Sequence, residues 1–303
     1  MEKRKIFVIG HKNPDTDSVC SAIAYAQLKN EIDTENEYIP LRAGQTNEET
    51  QYVLKQFGVN APQYVMDVKS QVKDIEIRKV DGVDRNISIK AAWKLMRDIG
   101  VVTLPITRDN KLEGLITIAD IATSYMDVHD STTLSTARTV CKNIVETLDG
   151  ALIIGDEEHV FDRGKVLVAA ANPDLMESYI RMGDIVILGN RYESQLCAIE
   201  MQAGCIVVCE GAPVSMTIKK LAVENHCTII STPHDTFTAS RLINQSVPIS
   251  FFMRTEGLIT FSTEAYTDEV RQVMAKKRHR DFPIHDEQGN YIGMISRRNL
   301  LGA

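Results

Sequence analysis

The sequence predicts an α/β protein with three parts: the start of a doubly wound parallel sheet, then two related α+β copies that are split by a small α/β domain. Three observations predict it. Strand and helix patterns alternate from residue 1 to about 65, a helix–strand–strand–helix pattern occurs twice afterwards, and a second alternating stretch lies between the two copies. At 303 residues the chain is long enough for two or three domains.

Composition excludes several classes of protein. The net charge of -7 argues against non-specific nucleic-acid binding. No run approaches 18 apolar residues, and the N-terminus enters a strand at once instead of a signal-peptide core, so we expect a cytoplasmic protein without membrane partners. The six cysteines form no CxxC pair and are expected to be reduced residues of the core.

The first strand and the helix after it open the N-terminal part. The four apolar residues Ile6–Ile9 predict a buried strand, which Gly10 ends. An Ala-rich helix follows, and Asp17 or Ser18 is its predicted N-cap. The loop between them therefore lies beyond the carboxyl end of a strand and before a helix N-terminus, where α/β proteins bind phosphates and metals.

This loop carries the candidate metal ligands. His11, Asp15 and Asp17 place one imidazole and two carboxylates within seven residues. Mixed nitrogen and oxygen donors suit divalent ions, Mn²⁺ above all. The aspartates alone have a simpler interpretation, because Asp is common in turns and at helix starts.

The wording of the loop indicates a family. His11-Lys-Asn-Pro-Asp15-Thr-Asp17-Ser18 resembles the first motif of the DHH phosphoesterases, and NPDTDS before an Ala-rich helix is similar to the family II, manganese-dependent inorganic pyrophosphatases. The resemblance implies an enzyme that hydrolyses diphosphate to two phosphates. It also implies that His11 and Asp15 hold one Mn²⁺ and Asp17 another, with Mg²⁺ or Co²⁺ as other possible ions.

A second strand and helix complete this part. Residues 37–44 predict the strand, and Asn47 and Gly58 are the predicted cap and stop of the amphipathic helix between them. Residues 1–65 are thus predicted to be the N-terminal part of a DHH-type catalytic domain with a parallel sheet.

An internal repeat begins at about residue 66. Pro105 and Gly114 in the first copy (residues 66–130) correspond to Pro283 and Gly293 in the second copy (residues 248–303). Each copy ends in the pattern [Thr/Ser]-x-x-[Asp/Asn]. The pair resembles the two halves of a CBS domain pair, which implies that an adenine nucleotide such as AMP, ADP or ATP binds between the copies as a regulator. By the same analogy the protein is expected to be a homodimer.

The candidate nucleotide site follows from this match. A hydroxyl at a strand end can donate to a phosphate, the Asp or Asn three residues later can accept from ribose hydroxyls, arginines can neutralise phosphates, and apolar residues before each proline would line the base pocket. Ordinary helix caps and a solvated charge run remain the alternative. The predicted site residues are Val101, Val102, Thr117, Asp120, Arg278, Arg280, Phe282, Ser296, Arg297 and Asn299.

The segment between the copies, residues 131–247, is called the insert. Its alternating apolar strands and Pro-initiated helices predict a self-contained α/β domain. Its position inside a split CBS pair resembles that of the DRTGG domain of CBS-type pyrophosphatases. The DRTGG wording is present only as the fragment Asp162-Arg163-Gly164.

One expected motif is absent. The sequence contains no Asp-His-His triplet, a further metal-binding motif of the family, so no catalytic set is complete and we expect a chain truncated before that motif and inactive alone. Two alternatives stay open. The chain can be a stand-alone adenine-nucleotide-sensing CBS/DRTGG module, or another DHH phosphoesterase, although the NPDTDS wording and acidic composition count against the latter.

Overall fold

The computed structural model describes residues 3–66, 69–126, 130–277 and 279–301. The chain divides into two compact units, Met1–Ser70 and Gln71–Ala303. Among the described residues, no helix has both the length and the apolar character needed to cross a bilayer.

The first unit is a small parallel β-sheet with two helices. Its sheet has the order β1-β2-β3 with all strands parallel, which confirms the predicted start of a doubly wound sheet. Asn47 caps the second helix by accepting from the Thr50 N–H at 2.8 Å, and Gly58 follows the helix in the left-handed region, as predicted. The elements are β1 (Arg4–Ile9), α1 (Thr16–Ile32), β2 (Asn36–Arg42), α2 (Glu48–Gln56) and β3 (Gln63–Tyr64).

Two local expectations in this unit are wrong. The N-cap of α1 is Asp15, not Asp17 or Ser18, because the Asp15 carboxylate accepts from the Ser18 N–H at 2.9 Å and the helix already begins at Thr16. Strand β1 is not buried: it is an edge strand, and Phe7 is 60% exposed. An apolar run predicts a buried strand only when both of its faces are covered.

The first copy in the second unit is a helix followed by a β-hairpin and a second helix. These are α3 (Ile89–Ile99), β4 (Thr103–Arg108), β5 (Lys111–Thr117) and α4 (Ile118–Met126). Ser88 caps α3, and Gly100 ends it in the left-handed conformation. Ala92 and Met96 are fully buried at i and i+4, which is the spacing of one helix face.

The second copy repeats this arrangement and confirms the internal repeat. Its elements are β13 (Phe261–Ser262), α11 (Thr267–Lys276), β14 (Asp281–His285), β15 (Tyr291–Ser296) and α12 (Arg297–Leu301). Strands β14 and β15 are antiparallel like β4 and β5, and Pro283 and Pro105 occupy the same place in their hairpins.

The two copies are joined by crossed backbone pairing. The lead-in segment of each copy, residues 71–87 in the first and 250–266 in the second, precedes its helix. Arg78 and Met294 exchange two backbone hydrogen bonds of 2.9 Å, while Arg254 and Leu115 exchange two of 2.9 and 3.0 Å. The lead-in segment of each copy therefore pairs with the Gly-containing strand of the other copy. In this way each copy extends the β-hairpin of the other.

The insert holds a five-stranded sheet in the order β7-β12-β11-β10-β9, in which only β7 is antiparallel. Its parallel strands follow one another in sequence order, so the sheet has no point where the strand order reverses, the usual ligand crevice of doubly wound proteins. The elements are α5 (Thr133–Thr136), β6 (Thr139–Val140), α6 (Cys141–Thr147), β7 (Ala151–Ile154), β8 (Val160–Phe161), β9 (Val166–Val168), α7 (Pro173–Tyr179), β10 (Ile185–Leu188), α8 (Tyr192–Glu200), β11 (Cys205–Val208), α9 (Met216–Glu224), β12 (Thr228–Ser231) and α10 (Thr236–Leu242).

The insert shares its core with the first copy. Along β10 and β11, Val186 and Ile206 pack against helices α7, α8 and α9. Ile185 and Cys205 face the other way, into a core cluster that also contains Leu104 of the first copy. The expectation of a self-contained insert is therefore wrong, because one hydrophobic core continues from the insert into the first copy. Of the six cysteines, five are buried and none is disulfide-bonded.

Candidate functional site

The metal loop of the first unit brings two of its three predicted ligands together. His11 Nε2 lies 3.4 Å from Asp15 Oδ1, and both side chains are 60% exposed. The Ser18 backbone N–H, with a smaller contribution from His11, lowers the pKa of Asp15 below its usual value. Asp15 is therefore an ionised carboxylate that caps a helix and adjoins an imidazole.

Asp17 is not part of this pair. It lies in the first turn of α1, where its Oδ1 accepts from the Ser21 hydroxyl at 3.3 Å. Gly10 allows α1 to approach β1, since a Cβ at that position would lie 1.9 Å from Ser18 Oγ. The described residues contain no group of three His, Cys, Asp or Glu side chains that could hold a metal ion. The donors fit Mn²⁺ in type but not in number.

In the second unit, the [Thr/Ser]-x-x-[Asp/Asn] patterns form helix caps. The Asp120 N–H donates to the Thr117 hydroxyl at 3.2 Å, and Asp120 Oδ2 accepts from the Thr117 N–H at 2.9 Å and from its hydroxyl at 2.7 Å. This reciprocal arrangement is a capping box at the start of α4. The second copy shares the side-chain half of this arrangement, because Asn299 Oδ1 accepts from the Ser296 N–H at 3.0 Å and from its hydroxyl at 2.7 Å.

A cavity of about 510 Å³ lies between the two copies. It brings together four of the predicted nucleotide-site residues, Val102, Thr117, Arg280 and Phe282. The other residues that line it are Thr103, Leu115, Ile118, Ala119, Arg254, Glu256, Gly257, Leu258, Ile259, His279 and Asp281. Its wall is thus apolar on several sides, with two hydroxyls, two guanidinium groups, two carboxylates and one imidazole.

Neighbouring valines differ in their placement. Val102 lines the cavity, whereas Val101 is 6% exposed and belongs to the hydrophobic core. Arg297 does not line it either: its guanidinium donates to the backbone carbonyl groups of Met274 and Lys277 at the end of α11. Arg278 lies outside the described residues.

Three charged residues of the cavity, Arg254, Glu256 and Asp281, were not predicted from the sequence. The Arg254 guanidinium binds Asp120 Oδ1 through Nε at 3.0 Å and Nη2 at 2.7 Å. Burial raises the pKa of Asp281, which accepts from the Thr103 hydroxyl at 3.4 Å. The signal that could have found two of them is the repeat itself, because Arg254 corresponds to Arg78 and Asp281 to Thr103 in the crossed pairing and the paired hairpins.

Three family models match the chain. The DHH family, N-terminal domain, matches residues 5–154, the DRTGG domain matches residues 143–246, and the CBS domain matches residues 250–303. Their order along the chain is the order inferred from the motifs.

Two relatives match nearly the whole chain. A cobalt-dependent inorganic pyrophosphatase of Clostridium perfringens is 40% identical over 301 residues, covering 99% of this chain and 54% of the relative. A probable manganese-dependent inorganic pyrophosphatase of Thermotoga maritima is 31% identical over 297 residues, covering 98% of this chain and 54% of that protein. The chain therefore spans about half the length of these relatives.

A solved structure matches the second unit in fold. The CBS and DRTGG domains of the regulatory region of Clostridium perfringens pyrophosphatase, crystallised with the activator diadenosine tetraphosphate, align with a TM-score of 0.72 and 37% identity. The alignment covers 76% of this chain and 100% of that structure. From the metal-loop motif, the split repeat, the three domains and these relatives, we conclude that the chain belongs to the family II, metal-dependent inorganic pyrophosphatases that carry CBS and DRTGG domains.

Proposed function

We propose that this chain is the N-terminal and regulatory portion of a metal-dependent inorganic pyrophosphatase that hydrolyses diphosphate to two phosphates. The sequence identity to cobalt- and manganese-dependent pyrophosphatases supports the hydrolysis of diphosphate as the reaction. It also supports Co²⁺ or Mn²⁺ as the metal ion. In this proposal His11, Asp15 and Asp17 supply some of the metal ligands. The remaining ligands belong to the rest of a protein that is as long as the relatives.

The regulatory ligand proposed for the second unit is an adenine nucleotide. The single observation that carries this is the cavity between the copies, which combines an apolar wall with cationic groups and the capping box of Thr117. A cavity of about 510 Å³ lies within the range of small-molecule sites. Its base pocket would use Val102 and Phe282, with phosphates at Arg254 and Arg280.

In this structure the Thr117 and Ser296 hydroxyls already donate to Asp120 and Asn299. Thr117 would therefore bind a phosphate only by rotating its hydroxyl away from Asp120. We accordingly place the phosphates at the arginines and treat Thr117 and Ser296 as groups that orient Asp120 and Asn299.

Calorimetric titration of the chain with AMP and ATP tests this part of the proposal. Binding of at least one nucleotide, weakened when Arg280 is replaced by Gln, is the expected result. No heat for either nucleotide, from protein that remains folded by circular dichroism, would remove the nucleotide function.

The second candidate function is that of an adenine-nucleotide-binding module without catalysis. It is favoured by the finding that the described residues supply no group of three metal-ligating side chains. A phosphate-release assay with Mn²⁺ or Co²⁺, run on this chain and on a protein extended to the relatives' length, separates the two. Turnover by the extended protein alone supports the pyrophosphatase; turnover by neither supports the binding module.

The predicted domain boundaries (1–65, 66–130, 131–247 and 248–303), the homodimer and the cytoplasmic location remain part of the proposal. Trp93, Tyr125 and Met126 are exposed and line an apolar groove on helices α3 and α4 of the first copy. Such a surface supports self-association. Light scattering of the chain and of a Trp93→Lys variant tests it, because a homodimer through this groove should become a monomer in the variant.

A further inference from the structure

The ion pair of Arg254 with Asp120 saturates the Asp120 carboxylate. Oδ2 accepts from the Thr117 N–H and hydroxyl, and Oδ1 accepts from Nε and Nη2 of Arg254. The Asp120 side chain is 13% exposed, whereas that of Arg254 is 50% exposed and lines the cavity. Asp120 is thus held in place by the helix cap, and the Arg254 guanidinium approaches it from the solvent-exposed side.

Arg254 is held independently of its guanidinium. Its backbone pairs with Leu115 through two hydrogen bonds of 2.9 and 3.0 Å. The lead-in segment therefore stays in place when the side chain moves, and the guanidinium can turn within the cavity by rotation of its own bonds.

The second copy provides an internal comparison. Asn299 makes the same two contacts with Ser296 that Asp120 makes with Thr117, but it carries no charge. Arg78, the counterpart of Arg254, donates instead to the carbonyl groups of Ile99 and Gly100, each at 3.2 Å. The side-chain cap of the second copy thus forms without an arginine, and the uncharged Asn299 offers Arg78 no ion pair.

We propose that Arg254 makes the cavity select phosphorylated ligands, by exchanging the Asp120 carboxylate for a phosphate of the entering nucleotide. This rests on the nucleotide function proposed above. A nucleotide brings an anion for the guanidinium and ribose hydroxyls for the carboxylate, so each partner of the ion pair regains a charge-assisted contact. A nucleoside brings hydroxyls only, and displacing Arg254 would leave its guanidinium without an anion.

The experiment compares AMP with adenosine by calorimetry on the chain. Arg254→Gln is expected to lower the affinity for AMP by roughly tenfold or more and to leave that for adenosine within about twofold, because only the phosphate loses a charged partner. Arg254→Lys keeps a cation but not the bidentate fork, and should lie between the two. Arg78→Gln is the matched control and should leave the ratio of the two affinities unchanged.

A second readout follows the exchange directly. The ¹⁵N–¹H signal of Arg254 Nε, assigned by its loss in the Arg254→Gln variant, should shift when AMP is added and stay in place with adenosine. A shift with adenosine equal to that with AMP would overturn the exchange. So would an unchanged signal while AMP binds.

The outcomes separate this inference from the function on which it rests. If the unchanged chain binds neither AMP nor adenosine, the nucleotide function itself fails. If it binds both and Arg254→Gln leaves their ratio unchanged, or Arg78→Gln lowers it equally, only the role of Arg254 is wrong.

Discussion

Gly114 and Arg254 meet backbone to backbone: a Cβ on Gly114 would lie 2.8 Å from the Arg254 carbonyl oxygen. Gly293 stands in the same relation to Arg78, at 2.7 Å. A side chain at either glycine would therefore meet the strand that arrives from the other copy, and at Gly293 the φ of 158° disfavours a side chain as well.

Replacing either glycine by alanine should weaken the junction of the two copies. Because the added methyl group meets backbone atoms, which cannot turn aside, we expect Gly114→Ala and Gly293→Ala each to lower the free energy of unfolding by roughly 1–3 kcal/mol. Urea unfolding measures this. Gly189→Ala is the control, since no atom lies within 4 Å of a Cβ there; equal losses in all three variants would contradict the explanation.

Tyr291 also joins the copies, and its hydroxyl can be tested alone. The hydroxyl donates to the Val80 carbonyl oxygen at 2.7 Å, and burial raises the pKa of the phenol. Tyr291→Phe leaves that carbonyl unpaired and should cost about 1 kcal/mol of stability. Tyr192→Phe, at an exposed position, should change the unfolding free energy by less than about half of that.

Asp281 gives a dependence of stability on pH. Burial raises its pKa, so the folded state holds the proton more tightly than the unfolded state. Its contribution to stability is therefore fully present below the pKa of the unfolded chain and is lost as the pH rises through the folded pKa. Asp281→Asn should be more stable than the unchanged protein at pH 7, and this advantage should shrink as the pH falls.

Asp286 is the control of opposite sign. Hydrogen bonds from Asn290, first from its side chain and then from its backbone, lower the pKa of Asp286. Its stabilisation is present above the usual pKa of Asp and disappears as the pH falls through the folded value. Asp286→Asn should therefore destabilise the protein at pH 7. Urea unfolding between pH 4 and 7 (about the span of the Asp transitions) compares both variants, and equal signs would contradict the assignment.

In the metal loop, helix capping and metal binding can be separated at Asp15. Asp15→Asn keeps a side-chain oxygen for the Ser18 N–H and should unfold nearly as the unchanged chain does. Asp15→Ala removes the cap and should lower the stability below that of Asp15→Asn. Both remove the charge beside His11, so both should weaken Mn²⁺ binding, followed by the electron paramagnetic resonance of free Mn²⁺. Retained binding in Asp15→Asn would show that this carboxylate is no ligand.

The internal repeat could be predicted from the sequence because each residue that identifies it has a local structural role. Ser88 caps the start of α3, and Gly100 ends it. Gly114 and Gly293 lie where the backbone of the other copy comes too close to leave room for a side chain. The cap of α1 was misplaced because Asp15 and Asp17 are both good cap residues, and only the backbone path selects Asp15.

The composition of the cavity was harder to predict, because it depends on contacts between residues far apart in sequence. Val101 and Val102 look alike in the sequence, yet in the short connection between α3 and β4 one lies in the core and the other lines the cavity. Arg297 was expected near phosphates, but the end of α11 offers it two carbonyl groups. Arg254 lies at the cavity because its backbone pairs with Leu115 of the other copy, and no local sequence pattern predicts this pairing.

The crossed pairing also has a consequence for synthesis on the ribosome. Leu115 emerges long before Arg254, its backbone partner, because the whole insert is translated between them. During that interval the edge of β5 has open hydrogen-bonding groups, and such an edge invites intermolecular pairing. The end of the insert is held to the first copy where the Ile89 N–H donates to the Val247 carbonyl oxygen at 3.0 Å. In the folded protein this contact keeps the residues that follow the insert beside the first copy, where Arg254 pairs with Leu115.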